Sequence, residues 1–179
     1  MTTAHALADE LATGLPDAVP YRGERGHGDA ASLRVGIDLV SVSDVADSVR
    51  RFGDQYVHRI FTPHEVDCCL FGEPSPGTTA GYSSESLAAR FAAKEAVVKV
   101  LRPVGPRPVW RDIEVYRDRS GWTEIRLSGR AELLAAEAGI DHLAVSLTHE
   151  EFTAAAVVIG VCRGGDRPVA PDTLDRGKE

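Results

Sequence analysis

The stretch RFAAKEAVVK, Arg90 to Lys99, sets one carboxylate among alanines, with a lysine directly before it and another four residues on. Residues four apart share one face of a helix, so Phe91, Glu95 and Lys99 line up with Ala92 and Ala96 beside them. Arg90 and Lys94 form a neighbouring cationic row. Two chemistries suit this pattern. A solvated Glu95–Lys99 pair would stabilise the helix by about 0.3–0.5 kcal/mol. Alternatively, Glu95 holds a divalent cation while the lysines grip phosphate oxygens, and the small alanines leave room for a ligand.

A second acid, Asp38, stands in the apolar run VGIDLV. A charge there is costly unless it is paired, bound to a metal or placed at the strand's end. Two carboxylates from separate elements, with phosphates and waters, make a plausible Mg²⁺ site, because Mg²⁺ takes one or two carboxylates and keeps several waters. The third piece is SLTHEE, where His149 ends an apolar strand. Its place suits either a neutral structural histidine or a hydrogen bond to phosphate, with Ser146 or Thr148 nearby. There is no Ser-His-Asp constellation, no phosphate-binding Walker loop and no GxGxxG.

These residues need a scaffold. LRVGIDLVSV reads as a buried strand. Ser43 then caps a helix through Arg51 that breaks at Gly53, and DQYVHRIF follows as a short helical piece. Thr62, Pro63 and Glu65 spell a capping box for a helix ending at Gly72. GEPSPGTTAGYSS is a loop. ESLAARFAAKEAVVKVL is the strongest helix, begun by Ser83 or Ser84 and stopped before Pro103. DIEVYR and TEIRLS form a hairpin across DRSG, GRAELLAAEAG is a helix, and HLAVSLTH with TAAAVVIGV makes a second hairpin around Glu150 and Glu151. This order predicts an α+β domain, with a mostly antiparallel sheet packed with helices. Its expected limits are 32–162, flanked by flexible segments at 1–31 and 163–179, with a weak helix from His5 to Leu11.

Composition narrows the function. A net charge of −7 argues against general nucleic-acid binding but leaves room for small anionic ligands. No apolar run is long enough for a membrane span and no secretory leader is visible, so no membrane partner is expected. Cys68, Cys69 and Cys162 have no disulfide or zinc spacing, which points to free thiols and the cytoplasm.

Taken in order, GIDLV, RFAAKEAVVK and SLTHEEFTAAAVVI closely resemble the holo-acyl-carrier-protein synthase family of 4′-phosphopantetheinyl transferases, over Val35 to about Val161. RIFTPHE resembles the family's segment between its first helices. The resemblance implies transfer of 4′-phosphopantetheine from coenzyme A to a serine of an apo acyl or peptidyl carrier protein, releasing adenosine 3′,5′-bisphosphate. It implies Mg²⁺ held by Asp38 and Glu95 with the coenzyme A pyrophosphate. Lys99 would contact that pyrophosphate with support from Lys94, Arg90 and His149 would lie toward the 3′-phosphate, and Ser146 is a further cofactor-binding candidate. Either a Mg²⁺-bound water or Glu95 would accept the serine proton. The family further implies a homotrimer with each active site between two subunits. Two departures stand out: Asp44 replaces the arginine the family presents to its carrier, leaving Arg50, Arg51 and Arg59 as candidate carrier contacts, and RPVGPRPV replaces a glycine-containing turn, leaving Gly105. The competing reading is a non-catalytic coenzyme A or carrier-protein binding module on the same fold.

Overall fold

The computed structural model describes residues 32–70 and 81–162. The flexible segments expected at 1–31 and 163–179, the weak helix at His5–Leu11 and most of the loop around Pro74 lie outside these residues. The elements run β1 (Ser32–Ser41), α1 (Val42–Phe52), α2 (Asp54–Ile60), α3 (Pro63–Cys69), α4 (Ser84–Leu101), a 3₁₀ turn (Trp110–Asp112), β2 (Ile113–Arg117), β3 (Thr123–Leu127), α5 (Gly129–Glu137), β4 (Ile140–His149) and β5 (Thr153–Cys162). Three strands form one antiparallel sheet in the order β1-β5-β4, and β2 and β3 form a separate hairpin. The architecture is α+β, as the order of elements predicts.

Local chemistry explains most boundaries. Ser41, rather than the expected Ser43, caps α1, accepting from the Asp44 amide while its hydroxyl meets that of Ser43 at 2.8 Å. The helix stops at Gly53, which holds φ of 56°. Thr62 and Glu65 form the expected capping box on α3, which ends at Cys69 rather than running on to Gly72. Ser83 caps α4, and Arg102 closes it in the left-handed region just before Pro103. In the β2–β3 turn the Asp118 carboxylate accepts from the Ser120 and Trp122 amides, and Gly121 supplies a φ of 90°.

Helix α4 lies across one face of the three-stranded sheet and is buried on most of its surface. Its alanines serve this packing rather than ligand access: Ala92, Ala93 and Ala96 are wholly buried in the core. At Gly36 the strand meets the helix so closely that a Cβ would sit 2.1 Å from the Ala96 carbonyl oxygen. Only glycine permits this approach.

The strand expected to be buried has one open face. Leu33, Val35, Ile37 and Leu39 are 65%, 59%, 53% and 65% exposed, while Gly36 between them is buried against α4. The cause is the two-residue alternation of a strand whose helices cover one face among the described residues. On β5, Ile159 is exposed on the same outer side.

Candidate active site

Helix α4 carries two separate sets of chemical groups. Arg34 donates to the Val100 carbonyl, Gly36 rests on Ala96, and Val40 packs on the cluster holding Ala92 and Ala93. Strand β1 therefore runs antiparallel to α4, and Asp38, on the same strand face, comes alongside the turn that bears Glu95. From one turn further on, Lys99 reaches over to β1. Its Nζ lies 2.8 Å from Asp38 Oδ1 and donates to the Ile37 carbonyl at 2.6 Å. Asp38 is mostly covered, Lys99 is half exposed, and partly buried Glu95 takes no polar partner among the described residues. The surface Glu95–Lys99 pair, one of the two sequence readings, is not what forms.

Arg90 points elsewhere. Five residues at 3.6 per turn separate Arg90 from Glu95 by about 140° around the helix. A cleft of about 360 Å³ opens on the Arg90 side. Ser86, Ala89 and Arg90 of α4 line it with Leu147, Thr148 and His149 of β4 and Arg117, Gly121 and Thr123 of the hairpin. Arg90 Nη1 donates to the Ser86 carbonyl at 3.2 Å, yet its buried Nε has no hydrogen-bond partner among the described residues. A buried, unpaired guanidinium N–H is costly, and an anion in the cleft would relieve it. Arg117 and His149 add two more groups suited to the same charge.

Two expected ligand residues are placed elsewhere. Lys94 has no exposed surface. Its ammonium lies 2.9 Å from Glu65 Oε2 and donates to the carbonyls of Trp110, at 3.0 Å, and Ile113. Burial lowers its pKa, partly opposed by the Glu65 carboxylate. It ties α4 to α3 and the 3₁₀ turn, so a phosphate contact is replaced by a structural one. Lysine and arginine four apart do share a helix face, but at Lys94 the core covers it. Ser146 is exposed on the outer sheet face opposite Val157, whereas Leu147 and His149 turn toward the cleft. Thr148, not Ser146, joins the lining.

Glu65 does more than cap. One carboxylate oxygen serves the Thr62 amide and Lys94, and the other accepts from the Val115 amide at 3.0 Å. Arg117, Ser86 and Thr123 complete the cleft without any sequence signal, because nothing local tells a hairpin which helix it will cover. Arg50, Arg51 and Arg59 are exposed. Arg50 pairs with Asp47, and the Arg51 guanidinium lies 5.1 Å from the Phe52 ring centre.

Asp38 and Glu95 are the residues that suit a cation. Among the described residues no group of three or more His, Cys, Asp or Glu side chains could hold a metal. Two hard carboxylates match Mg²⁺, which draws its remaining oxygens from phosphate and water.

The family model described as the 4′-phosphopantetheinyl transferase superfamily matches residues 34–162. A holo-[acyl-carrier-protein] synthase of Moorella thermoacetica is 42% identical over 127 residues, 71% of this chain and 92% of its own length. That of Halothermothrix orenii is 37% identical over 126 residues, 70% of this chain and 94% of its own. Among solved structures, the Helicobacter pylori holo-[acyl-carrier-protein] synthase in complex with coenzyme A superposes with a TM-score of 0.58 at 28% identity, covering 71% of this chain and 99% of that one.

Proposed function

Because the chain belongs to the 4′-phosphopantetheinyl transferase superfamily, we propose that it is a holo-[acyl-carrier-protein] synthase. It moves 4′-phosphopantetheine from coenzyme A to a carrier-protein serine. The serine oxygen forms a bond to the phosphorus bearing pantetheine, and the bridging P–O bond of the diphosphate breaks. The serine proton is lost and adenosine 3′,5′-bisphosphate leaves.

The single observation that carries the mechanism is the Asp38–Lys99 ion pair, formed on the strand that runs beside the Glu95 turn of α4. Phosphoryl transfer asks a protein mainly for positioning and charge neutralisation. Asp38 and Glu95 would hold Mg²⁺, which when bound supplies charge neutralisation at the diphosphate. Lys99 meets the same diphosphate from its half-exposed position. On the other flank, Arg90 and His149, with Arg117, take the 3′-phosphate, and the orphaned Arg90 Nε supports this assignment.

One coenzyme A engaging both flanks calls for a second copy of the chain. The open row of Leu33, Val35, Ile37 and Leu39 supports self-association, since large contiguous apolar patches mark contact surfaces. We read the assembly as a homotrimer with shared sites. Exposed Arg50, Arg51 and Arg59 would meet the acidic carrier. Three free cysteines agree with a cytoplasmic enzyme.

The test is incubation of the full chain with coenzyme A, Mg²⁺ and a panel of apo acyl and peptidyl carrier proteins. One carrier should gain the mass of a phosphopantetheine group. Binding of coenzyme A with no transfer to any carrier encoded beside it would overturn the reading.

A further inference from the structure

Lys99 lies one turn from Glu95 on α4 and gives its ion pair to Asp38 on β1. We infer that Lys99 is the internal counterion of Asp38, and that a divalent cation and the coenzyme A diphosphate bind cooperatively because together they displace it. The inference rests on the transferase reading above and adds a regulatory contact within that site.

Three observations carry it. Lys99 Nζ occupies Asp38 Oδ1 at 2.8 Å and also holds the Ile37 carbonyl, so both bonds anchor it to β1. Glu95, one turn earlier on the same helix face, has no polar partner among the described residues. Lys99 is half exposed whereas Asp38 is mostly covered, so the flexible lysine can swing away while the acid stays in place.

Charge explains the coupling. Asp38, Glu95 and the Lys99 ammonium sum to one negative charge. A dication in place of the ammonium brings the pair of acids to neutrality and frees a cation for an incoming diphosphate. Any dication alone must first compete with Lys99 for Asp38. A diphosphate that attracts Lys99 removes the competitor, and by linkage the dication strengthens diphosphate binding equally.

The experiment is a titration of Mn²⁺ alone into the full-length protein, read by electron paramagnetic resonance. Lys99→Met and Lys99→Gln should each bind Mn²⁺ about fivefold more tightly than the wild type, the scale of a partly exposed ion pair. Asp38→Asn should bind it more weakly. Unchanged or weaker Mn²⁺ binding in both Lys99 variants overturns the counterion role. Transfer by the wild-type protein, scored separately by carrier mass, distinguishes that failure from failure of the transferase reading.

Discussion

Lys99 reaches across to Asp38 on the neighbouring strand, at 2.8 Å, and leaves Glu95, one turn behind it on its own helix, without a polar partner among the described residues. Asp38 thus has its charge met by Lys99, whereas the Glu95 carboxylate keeps its own. Asp38→Asn and Glu95→Gln should each lower transfer by about a hundred- to a thousandfold, the scale of losing one electrostatic contribution to the transition state, here through weaker hold on the cation. Mass measurement of the carrier after a timed reaction checks this. Activity within a few-fold of wild type in either variant would remove the metal assignment.

Arg90 and His149 predict a preference for the nucleotide's 3′-phosphate. The wild type should use coenzyme A more efficiently than dephospho-coenzyme A, by about tenfold or more for charge-assisted bonds. Arg90→Ala and His149→Ala should shrink that ratio, chiefly through KM. Because Arg90 is buried, thermal unfolding of each variant is followed alongside. Equal losses on both substrates would place these residues outside the 3′-phosphate site.

The open face of β1 predicts assembly. Light scattering on the purified chain should return three times the monomer mass. Val35→Asp and Ile37→Asp, which put charge into the apolar row, should shift it to monomer and reduce transfer together. A monomeric wild type with full activity would rule out a shared site.

The buried Glu65–Lys94 pair predicts an asymmetric effect on stability. Lys94→Met strands the Glu65 carboxylate in the core and should cost about 3–5 kcal/mol in urea unfolding. Lys94→Met with Glu65→Gln should recover part of that loss, because no uncompensated charge remains. If the double variant is no better than the single one, the main cost lies in the Glu65 bonds to the Thr62 and Val115 amides.

Cys69 is buried, and burial pushes its thiol up to about 11, against a smaller opposing pull from Arg90. At pH 8.5 iodoacetamide should modify the partly exposed Cys68 and spare Cys69 until the chain unfolds. The native state holds this proton more firmly than the unfolded chain. Its contribution to stability is therefore complete below about 9 and is lost as pH rises to about 11. Cys69→Ala should flatten that part of the stability profile.

What the residues determine by themselves is local. The capping box of Thr62 and Glu65, the Ser83 cap and the Asp118–Gly121 turn depend on neighbours within a few positions, so their chemistry is legible in the chain. The resemblance carried by GIDLV and RFAAKEAVVK pointed to Asp38, Glu95 and Lys99 as one site, and of these the fold brings Asp38 and Lys99 into contact. Tertiary packing decided the rest. Lys94 and Lys99 sit five residues apart in one motif, yet one is sealed in the core and the other reaches another strand, because α4 turns them to different neighbours. Ser146 and His149 lie on one strand but on opposite sides of it, and only the placement of α4 determines which side is the cleft. Arg117 and Thr123 enter the site because a distant hairpin folds over that helix, a contact no local pattern encodes.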